Sequence, residues 1–305
     1  MTVMKTVLVL GANGFIGRYL VGRLLSDGYN VIGYGRTPND KIRWITGDFG
    51  NENRFEDILK KNKIDIIVHL ISTTIPAEGS SLVTQDIEMN VLPTIRLLEA
   101  MRNAETKEIL FLSSGGTVYG ESTGAPSKTT DRLQPICSYG LQKKMIEDYL
   151  QFYSRLYELQ VKIVRLSNPY GVPPSTTRGQ GIIPIFIHKL INGENITVYG
   201  NTVRDYIHID DAIEGILRYI KYSGTKTILN LGSGKGSTIK EVVEEIENVA
   251  QMEFSSVTCL PIRSCDVEKN VLDISETQEI LKWAPLIDLH SGILRTLREI
   301  KQNCV

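Results

Sequence analysis

Tyr139 and Lys143 stand four residues apart in Ser138-Tyr139-Gly140-Leu141-Gln142-Lys143, and apolar residues at Met145, Ile146, Tyr149 and Tyr153 continue the segment at helical spacing. On a helix, that spacing puts the phenol and the ammonium on one face. An ammonium beside a phenol favours the phenolate. It is expected to lower the tyrosine from its usual pKa of about 10 toward neutrality, as general acid/base chemistry at a carbonyl or carbinol oxygen requires. The bland alternative is an exposed cation beside an aromatic ring. Two further features add weight to the pair: a strand-like run ending in Ser113-Ser114, and a glycine turn near the N-terminus.

That turn reads Gly11-Ala12-Asn13-Gly14-Phe15-Ile16-Gly17. It follows a short apolar run and opens a segment of helical periodicity, the context in which small residues let backbone N–H groups approach a pyrophosphate at a positive helix end. A packing turn is the alternative. After the second strand-like run, where an acid would hold the ribose 2′-OH of NAD, the chain has Tyr34-Gly35-Arg36-Thr37. Arg36 either forks onto a 2′-phosphate, which selects NADP, or is a solvated surface arginine. Asp48, in Gly47-Asp48, is placed either to accept from an adenine amino group or to serve as a helix N-cap or turn residue.

The elements that must position these groups follow from the apolar pattern. Strand-like runs at Thr6–Leu10, Asn30–Tyr34, Asp65–Ile71, Glu108–Leu112 and Val161–Leu166 alternate with helix-length segments, which implies a parallel sheet covered on both faces. The expected fold is α/β: a Rossmann-like, doubly wound parallel sheet with a smaller, discontinuous C-terminal substrate-binding lobe. Residues 1–170 form the dinucleotide-binding domain, with a returning segment near 205–235 because Ile228–Leu231 again looks like a buried strand; 171–305 mainly form the lobe. Pro173, Pro174, Gly179 and Gly181 mark the irregular junction, and a helix-rich tail is expected after it.

Composition excludes several functions. In 305 residues, 34 basic side chains nearly cancel 35 acidic ones, so no net field points to nucleic acid or an acidic membrane. Cys137, Cys259, Cys265 and Cys304 are scattered without metal-ligand spacing; buried, reduced thiols and no metal are expected. Lys5 precedes a short apolar run that breaks at Gly11, short of a signal peptide, and no stretch approaches the roughly 18 apolar residues of a membrane span. A cytoplasmic location is the expectation.

The runs Phe111-Leu-Ser-Ser-Gly-Gly-Thr-Val-Tyr-Gly120, Tyr139 with Lys143, Arg165-Leu-Ser-Asn-Pro-Tyr-Gly171 and Arg204-Asp-Tyr-Ile-His-Ile-Asp-Asp211 resemble the extended short-chain dehydrogenases/reductases that act on nucleotide sugars. The resemblance covers essentially the whole chain. It implies that Tyr139 is the acid/base at O4 and that Lys143 binds the nicotinamide ribose. Asn168 would lie near the sugar or diphosphate and Pro169 near the carboxamide, while Phe15, Ile16, Leu70 and Ser113 join the cofactor-binding set. Arg204 and Arg263 would clamp the diphosphate, which a near-neutral chain must meet with local cations. Their alternative roles are salt bridges, Arg204 with Asp210 or Asp211 and Arg263 with Asp266. A homodimer through helices near Gln85–Met101 and Ser138–Tyr157 is also implied.

Departures from the family pattern narrow the reaction. Gly115 occupies the place of a catalytic serine or threonine, so Thr117, or next Ser114, is the expected substitute hydroxyl. Gly116-Thr117 replaces the acidic pair of dehydratases, and the acid used by decarboxylases is missing too. Two enzymatic readings remain. One is NADPH-dependent reduction of a 4-keto-6-deoxyhexose such as dTDP-4-dehydro-6-deoxyglucose, for surface polysaccharide sugars; NADP(H) is the cofactor Arg36 favours. The other is a UDP-hexose 4-epimerase that keeps NAD bound. A non-catalytic nucleotide-binding protein is a third reading, against which the intact Tyr139–Lys143 pair argues.

Overall fold

The structure is a computed structural model that describes residues 4–74, 83–121, 124–173 and 181–303. Pro174, Gly179 and Cys304 lie outside the described residues. In chain order the first elements are β1 (Thr6–Leu10), α1 (Phe15–Ser26), β2 (Asn30–Gly35), β3 (Arg43–Thr46), α2 (Phe55–Asn62), β4 (Ile66–His69), α3 (Val83–Asp86), α4 (Leu92–Asn103), β5 (Glu108–Ser114), α5 (Ser138–Tyr157) and β6 (Gln160–Leu166). There follow β7 (Asn168–Tyr170), α6 (Ile182–Ile191), β8 (Ile196–Tyr199), β9 (Val203–His208), α7 (Ile209–Lys221), β10 (Ile228–Leu231), β11 (Gly236–Thr238), α8 (Ile239–Ala250), β12 (Val257–Leu260), β13 (Lys269–Asn270), α9 (Ser275–Leu281) and α10 (Leu289–Asn303).

The chain divides into two compact units. The first draws on Met1–Ser114, Cys137–Arg165 and Ile216–Leu229, the second on Gly115–Ile136, Leu166–Gly215 and Asn230–Val305. The first unit carries a seven-stranded sheet in the order β10-β6-β5-β4-β1-β2-β3. From β3 through β5 every pairing is parallel. All five β1 residues are buried, because a strand covered by helices on both faces has no polar side to show. Leu8, Leu10, Ile32, Ile67, Phe111, Leu150 and Ile163 belong to its core. The order is doubly wound: β1 lies between β2 and β4, so the carboxyl ends of the strands open on a switch of direction where α/β sheets bind ligands. As its apolar run implied, β10 returns to the edge of this sheet.

In the second unit, α6, α8 and α10 supply Ile183, Phe186, Val242, Ile246 and Ile293 to a separate core. A helix-rich tail is only part of the outcome. A four-stranded sheet of β11, β9, β13 and β7 and a two-stranded sheet of β12 and β8 lie in the same unit. The thiol expectation also needs correcting: Cys137 is buried, but Cys259 is exposed on the short β12 and Cys265 is half-buried. Among the described residues no helix is long and apolar enough to cross a membrane.

Candidate active site

In the first unit the glycine turn has the shape of an anion cradle. Gly11 takes φ +87°, a left-handed conformation that glycine adopts without cost, and Gly14 N–H donates to its carbonyl at 3.0 Å. A Cβ on Gly17 would stand 2.2 Å from the Gly11 carbonyl oxygen and 2.8 Å from the Ala12 Cα, so only glycine lets α1 begin this close to β1. Gly14, the N-cap of α1, brings no side chain to the first turn, whose N–H groups are left for a ligand. Those features fit the diphosphate of a dinucleotide. Phe15 and Ile16 are half-buried just inside the helix. Leu70 N–H donates to the Leu10 carbonyl at 3.1 Å, which holds Leu70 and Ile71 against Gly11.

Asn13 fastens this turn to the segment after β2. Its Nδ2 donates to the Thr37 carbonyl at 2.8 Å, and its Oδ1 accepts from Asn39 Nδ2 at 2.9 Å. Arg36, immediately beyond β2, is exposed and makes no hydrogen bond or ion pair among the described residues. Asp48 is also exposed and starts a short 3₁₀ turn, Phe49–Asn51, where its carboxylate accepts from Asn51 Nδ2 at 2.9 Å. Gly47 before it has no room for a side chain, because a Cβ would fall 2.4 Å from the Tyr34 hydroxyl. That hydroxyl donates to buried Glu52 at 2.9 Å; Arg54 holds Glu52 so firmly that its carboxyl pKa falls to about 2.

Tyr139 and Lys143 occupy the first turns of α5, where the Cys137 sulfur accepts from Gly140 N–H at 3.4 Å. Lys143 is 4% exposed, donates to the Leu112 carbonyl at 2.9 Å, and stands 4.7 Å from the Phe111 ring centroid and 5.7 Å from that of Tyr139. Burial lowers its pKa to about 8, against an opposing pull from Glu147. The expected fall in the tyrosine pKa does not occur. Burial pushes the Tyr139 phenol above its ordinary value, with Cys137 and Asp86 adding to the rise, and a side-chain hydrogen bond with Ser72 opposes it. The helix spacing places the ammonium beside the ring, but its hydrogen bond goes to a carbonyl rather than to the phenol oxygen.

Ser113 and Ser114 part company at the end of β5, as alternation along a strand requires. Ser113 is buried and its hydroxyl donates to Glu147, which also receives bonds of 2.7 to 3.2 Å from Arg165. That side chain is committed to a buried ion pair rather than turned to a ligand. Ser114 is half-buried. Residues that the motifs did not single out are tied by hydrogen bonds to the start of the helix that carries Tyr139: Asp86 accepts from Ser138, Thr74 and Gln142, and Thr74 accepts from Gln142. The polar run Ser72-Thr73-Thr74, just past a buried strand, was the available signal.

The second unit positions the other predicted residues. Asn168 Nδ2 donates to the Asp205 carbonyl at 2.9 Å, and Pro169 lies opposite Ile207 where β7 pairs with β9. Asp205, fully buried, gathers the N–H groups of Ser233, Gly234 and Leu272 and the Ser233 hydroxyl, fixing the strand on which Arg204 sits. Arg204 donates to the carbonyls of Val203 at 3.0 Å and Glu268 at 3.4 Å, not to Asp210 or Asp211. Burial lowers its pKa, and the charge of Arg263 does so too. Arg263 does pair with Asp266, at 2.6 and 3.1 Å, and lies over the Tyr199 ring at 4.9 Å. Gly115 is fixed through its backbone, donating to Leu166 at 2.7 Å and accepting from Asn270 at 3.0 Å. The Thr117 hydroxyl is buried without a partner among the described residues.

Comparison with known proteins agrees with this geometry. The NAD dependent epimerase/dehydratase family matches residues 7–232. A UDP-glucose 4-epimerase of Mycolicibacterium smegmatis is 31% identical, covering 96% of this chain and 97% of its own. A dTDP-4-dehydro-6-deoxyglucose reductase of Escherichia coli is 29% identical, covering 97% of each. Among solved structures, UDP-glucose 4-epimerase of Thermotoga maritima with UDP-glucose superposes with a TM-score of 0.92 at 27% identity, over 98% of this chain and 100% of that one. With a glycine cradle on a doubly wound sheet, a buried Tyr-Lys pair and relatives of this kind, the chain belongs to the NAD dependent epimerase/dehydratase family, among its nucleotide-sugar epimerases and reductases.

Proposed function

We propose that this enzyme uses NADPH to reduce the C4 keto group of a nucleotide-linked 4-keto-6-deoxyhexose, of which dTDP-4-dehydro-6-deoxyglucose is the type, in the supply of surface polysaccharide sugars. The observation that carries the reading is Arg36, an exposed guanidinium directly beyond β2 that is free of internal partners among the described residues, where an NAD-selective site would have a carboxylate. The Escherichia coli reductase, matched over nearly its whole length, supports it.

The roles follow from the chemistry. Gly11, Gly14 and Gly17 would hold the diphosphate of the cofactor, Asp48 its adenine and Arg36 its 2′-phosphate, and the bound cofactor would supply the hydride for C4. Tyr139 gives its proton to O4, and Lys143 holds the nicotinamide ribose. Phe15, Ile16, Leu70 and Ser113 would join the residues that hold the cofactor, and Pro169 is the residue proposed for its carboxamide. Arg204 and Arg263 bind the diphosphate of the sugar nucleotide and Asn168 the sugar side of it. Thr117, whose buried hydroxyl lacks a partner among the described residues, donates to the substrate oxygen in place of the hydroxyl that Gly115 lacks, with Ser114 as the second candidate.

The second reading is 4-epimerisation of a UDP-hexose with NAD retained, favoured by the Mycolicibacterium and Thermotoga relatives. Either enzyme is proposed to be a homodimer. Leu141, Tyr149, Phe152 and Leu156 on α5 and Leu92 on α4 are exposed apolar side chains of the kind a helix-pair interface covers. The free thiols of Cys137, Cys259 and Cys265 fit a cytoplasmic setting. Calorimetry on Arg36→Ala tests the cofactor assignment. NADPH binding is expected to weaken roughly ten- to hundredfold, with NADH little changed. Equal NADPH affinity in variant and wild type contradicts it.

A further inference from the structure

The connection between β3 and α2 is held by a buried charged network that packing alone does not require. Tyr34, on β2, is fully buried, with its ring centroid 6.3 Å from that of Phe55, which stands 5.6 Å from that of Phe49. A phenylalanine would serve that apolar cluster as well. Tyr34 instead donates its hydroxyl at 2.9 Å to Glu52, whose side chain is only 2% exposed. The same carboxylate accepts from Arg54 Nε at 2.8 Å, Arg54 Nη2 at 2.7 Å and the N–H groups of Arg54 at 3.0 Å and Asn53 at 3.2 Å. Burying a carboxylate costs solvation that an ion pair seldom repays, so what such a network supplies is geometry.

The geometry it fixes is that of Asp48. Arg54 Nη2 also donates to the Thr46 carbonyl at 3.3 Å, two residues before Asp48, while Glu52 lies four residues after it. Gly47, between them, touches both members of the network: a Cβ there would fall 2.4 Å from the Tyr34 hydroxyl and 2.5 Å from Glu52 Oε2. Its N–H donates to the Gly35 carbonyl at 3.2 Å. Beyond Asp48, whose carbonyl accepts from Asn51 N–H at 3.0 Å, the Gly50 carbonyl accepts from Arg96 at 3.1 Å. The main chain is therefore held on both sides of Asp48. Its carboxylate stays exposed and, beyond the bond from Asn51 Nδ2 at 2.9 Å, keeps lone pairs for a ligand.

We propose that Tyr34, Glu52 and Arg54 are positioning residues for base recognition: the buried Glu52 carboxylate, held by the Tyr34 hydroxyl and the Arg54 guanidinium, sets the Gly47–Asp48 backbone so that the Asp48 carboxylate accepts from the 6-amino group of the cofactor's purine. The network thereby selects a purine with an amino donor at C6 over one with a carbonyl there, whose oxygen would meet the carboxylate lone pairs. The three residues act through Asp48. The inference rests on the reading of Asp48 as the adenine contact, and it is independent of Arg36 and of the reaction that follows.

The test is calorimetric, on wild type, Tyr34→Phe, Glu52→Gln and Asp48→Ala, with two probes: NADPH, and its analogue carrying hypoxanthine in place of adenine. Wild type is expected to bind NADPH roughly ten- to hundredfold more tightly than the analogue, the range for one hydrogen bond to a charged group. Tyr34→Phe, which removes a hydroxyl and keeps the ring, and Glu52→Gln are each expected to cut that preference at least about fivefold. Their preference for NADPH over NADH, which Arg36 governs, is expected to stay as in wild type. A network that only stabilised the fold would weaken both probes alike, so the full adenine preference retained in Tyr34→Phe overturns the proposal, whether or not Glu52→Gln folds. Asp48→Ala is expected to bind the two probes equally. Wild type that binds both alike, or Asp48→Ala that keeps the preference, overturns the reading of Asp48 and the proposal with it.

Discussion

Lys143 Nζ donates to the backbone carbonyl of Leu112 at 2.9 Å, joining the first turns of α5 to the strand that ends at Ser114. One hydrogen bond thus aligns the helix that carries Tyr139 with the carboxyl end of the sheet, while burying a cation almost completely.

That burial has a sign in stability. The Lys143 pKa is lowered to about 8 in the folded protein, below the unfolded lysine value of about 10.4, so folding disfavours its charged form. Between those two values the unfolded chain binds the proton and the folded one does not, and stability rises with pH. Below about 8 the cost is complete, on the order of 3 kcal/mol. In cofactor-free protein, Lys143→Met is expected to remove this slope from urea unfolding measured across the range. A slope equal to that of wild type contradicts the burial argument.

Glu147 and Arg165 form an ion pair with almost no exposure, and Ser113 donates to the same carboxylate. Glu147→Gln leaves a guanidinium buried without its counter-charge and is expected to lower stability by about 3 to 5 kcal/mol. Replacing both partners by apolar residues of similar size, as in Glu147→Leu with Arg165→Met, is expected to recover most of that loss. Denaturant midpoints decide the matter; a double variant as unstable as Glu147→Gln would show that something other than an unpaired charge is responsible.

Legibility from sequence followed the length and apolarity of each element. The parallel sheet and the glycine cradle were readable because β1, β2 and β5 are apolar runs bounded by glycine or polar residues, and β10 announced its return by the same pattern. The small sheets of the second unit were not. β7 and β11 have three residues each, β13 is Lys269-Asn270, and partners on β9 fix them rather than any periodicity of their own. Spacing also told which face Lys143 shares with Tyr139 but not how deeply the phenol is buried, and burial is what turns its shift upward. Asp86 and Gln142 were invisible for another reason: the hydrogen bonds that join Asp86 to Ser138 and Gln142, and Gln142 to Thr74, link positions 52 to 68 residues apart.

In the second unit, Arg263 holds Asp266 through two hydrogen bonds, whereas Arg204, among the described residues, donates only to carbonyls. Arg204→Ala and Arg263→Ala are each expected to weaken dTDP-sugar binding by roughly ten- to hundredfold, the range for charged hydrogen bonds to phosphate, and to leave NADPH binding almost unchanged. Calorimetric titrations with the two ligands read the difference; equal losses for both would remove the arginines from the diphosphate site.

The central claim, that this enzyme is an NADPH-consuming 4-keto reductase, is tested most directly by mixing the purified protein with NADPH and dTDP-4-keto-6-deoxyglucose and following cofactor absorbance beside product analysis. The account predicts loss of one NADPH for each keto sugar converted to a dTDP-6-deoxyhexose, with NADP released. Protein that retains NAD, interconverts UDP-glucose and UDP-galactose, and consumes no NADPH with the keto sugar would contradict it.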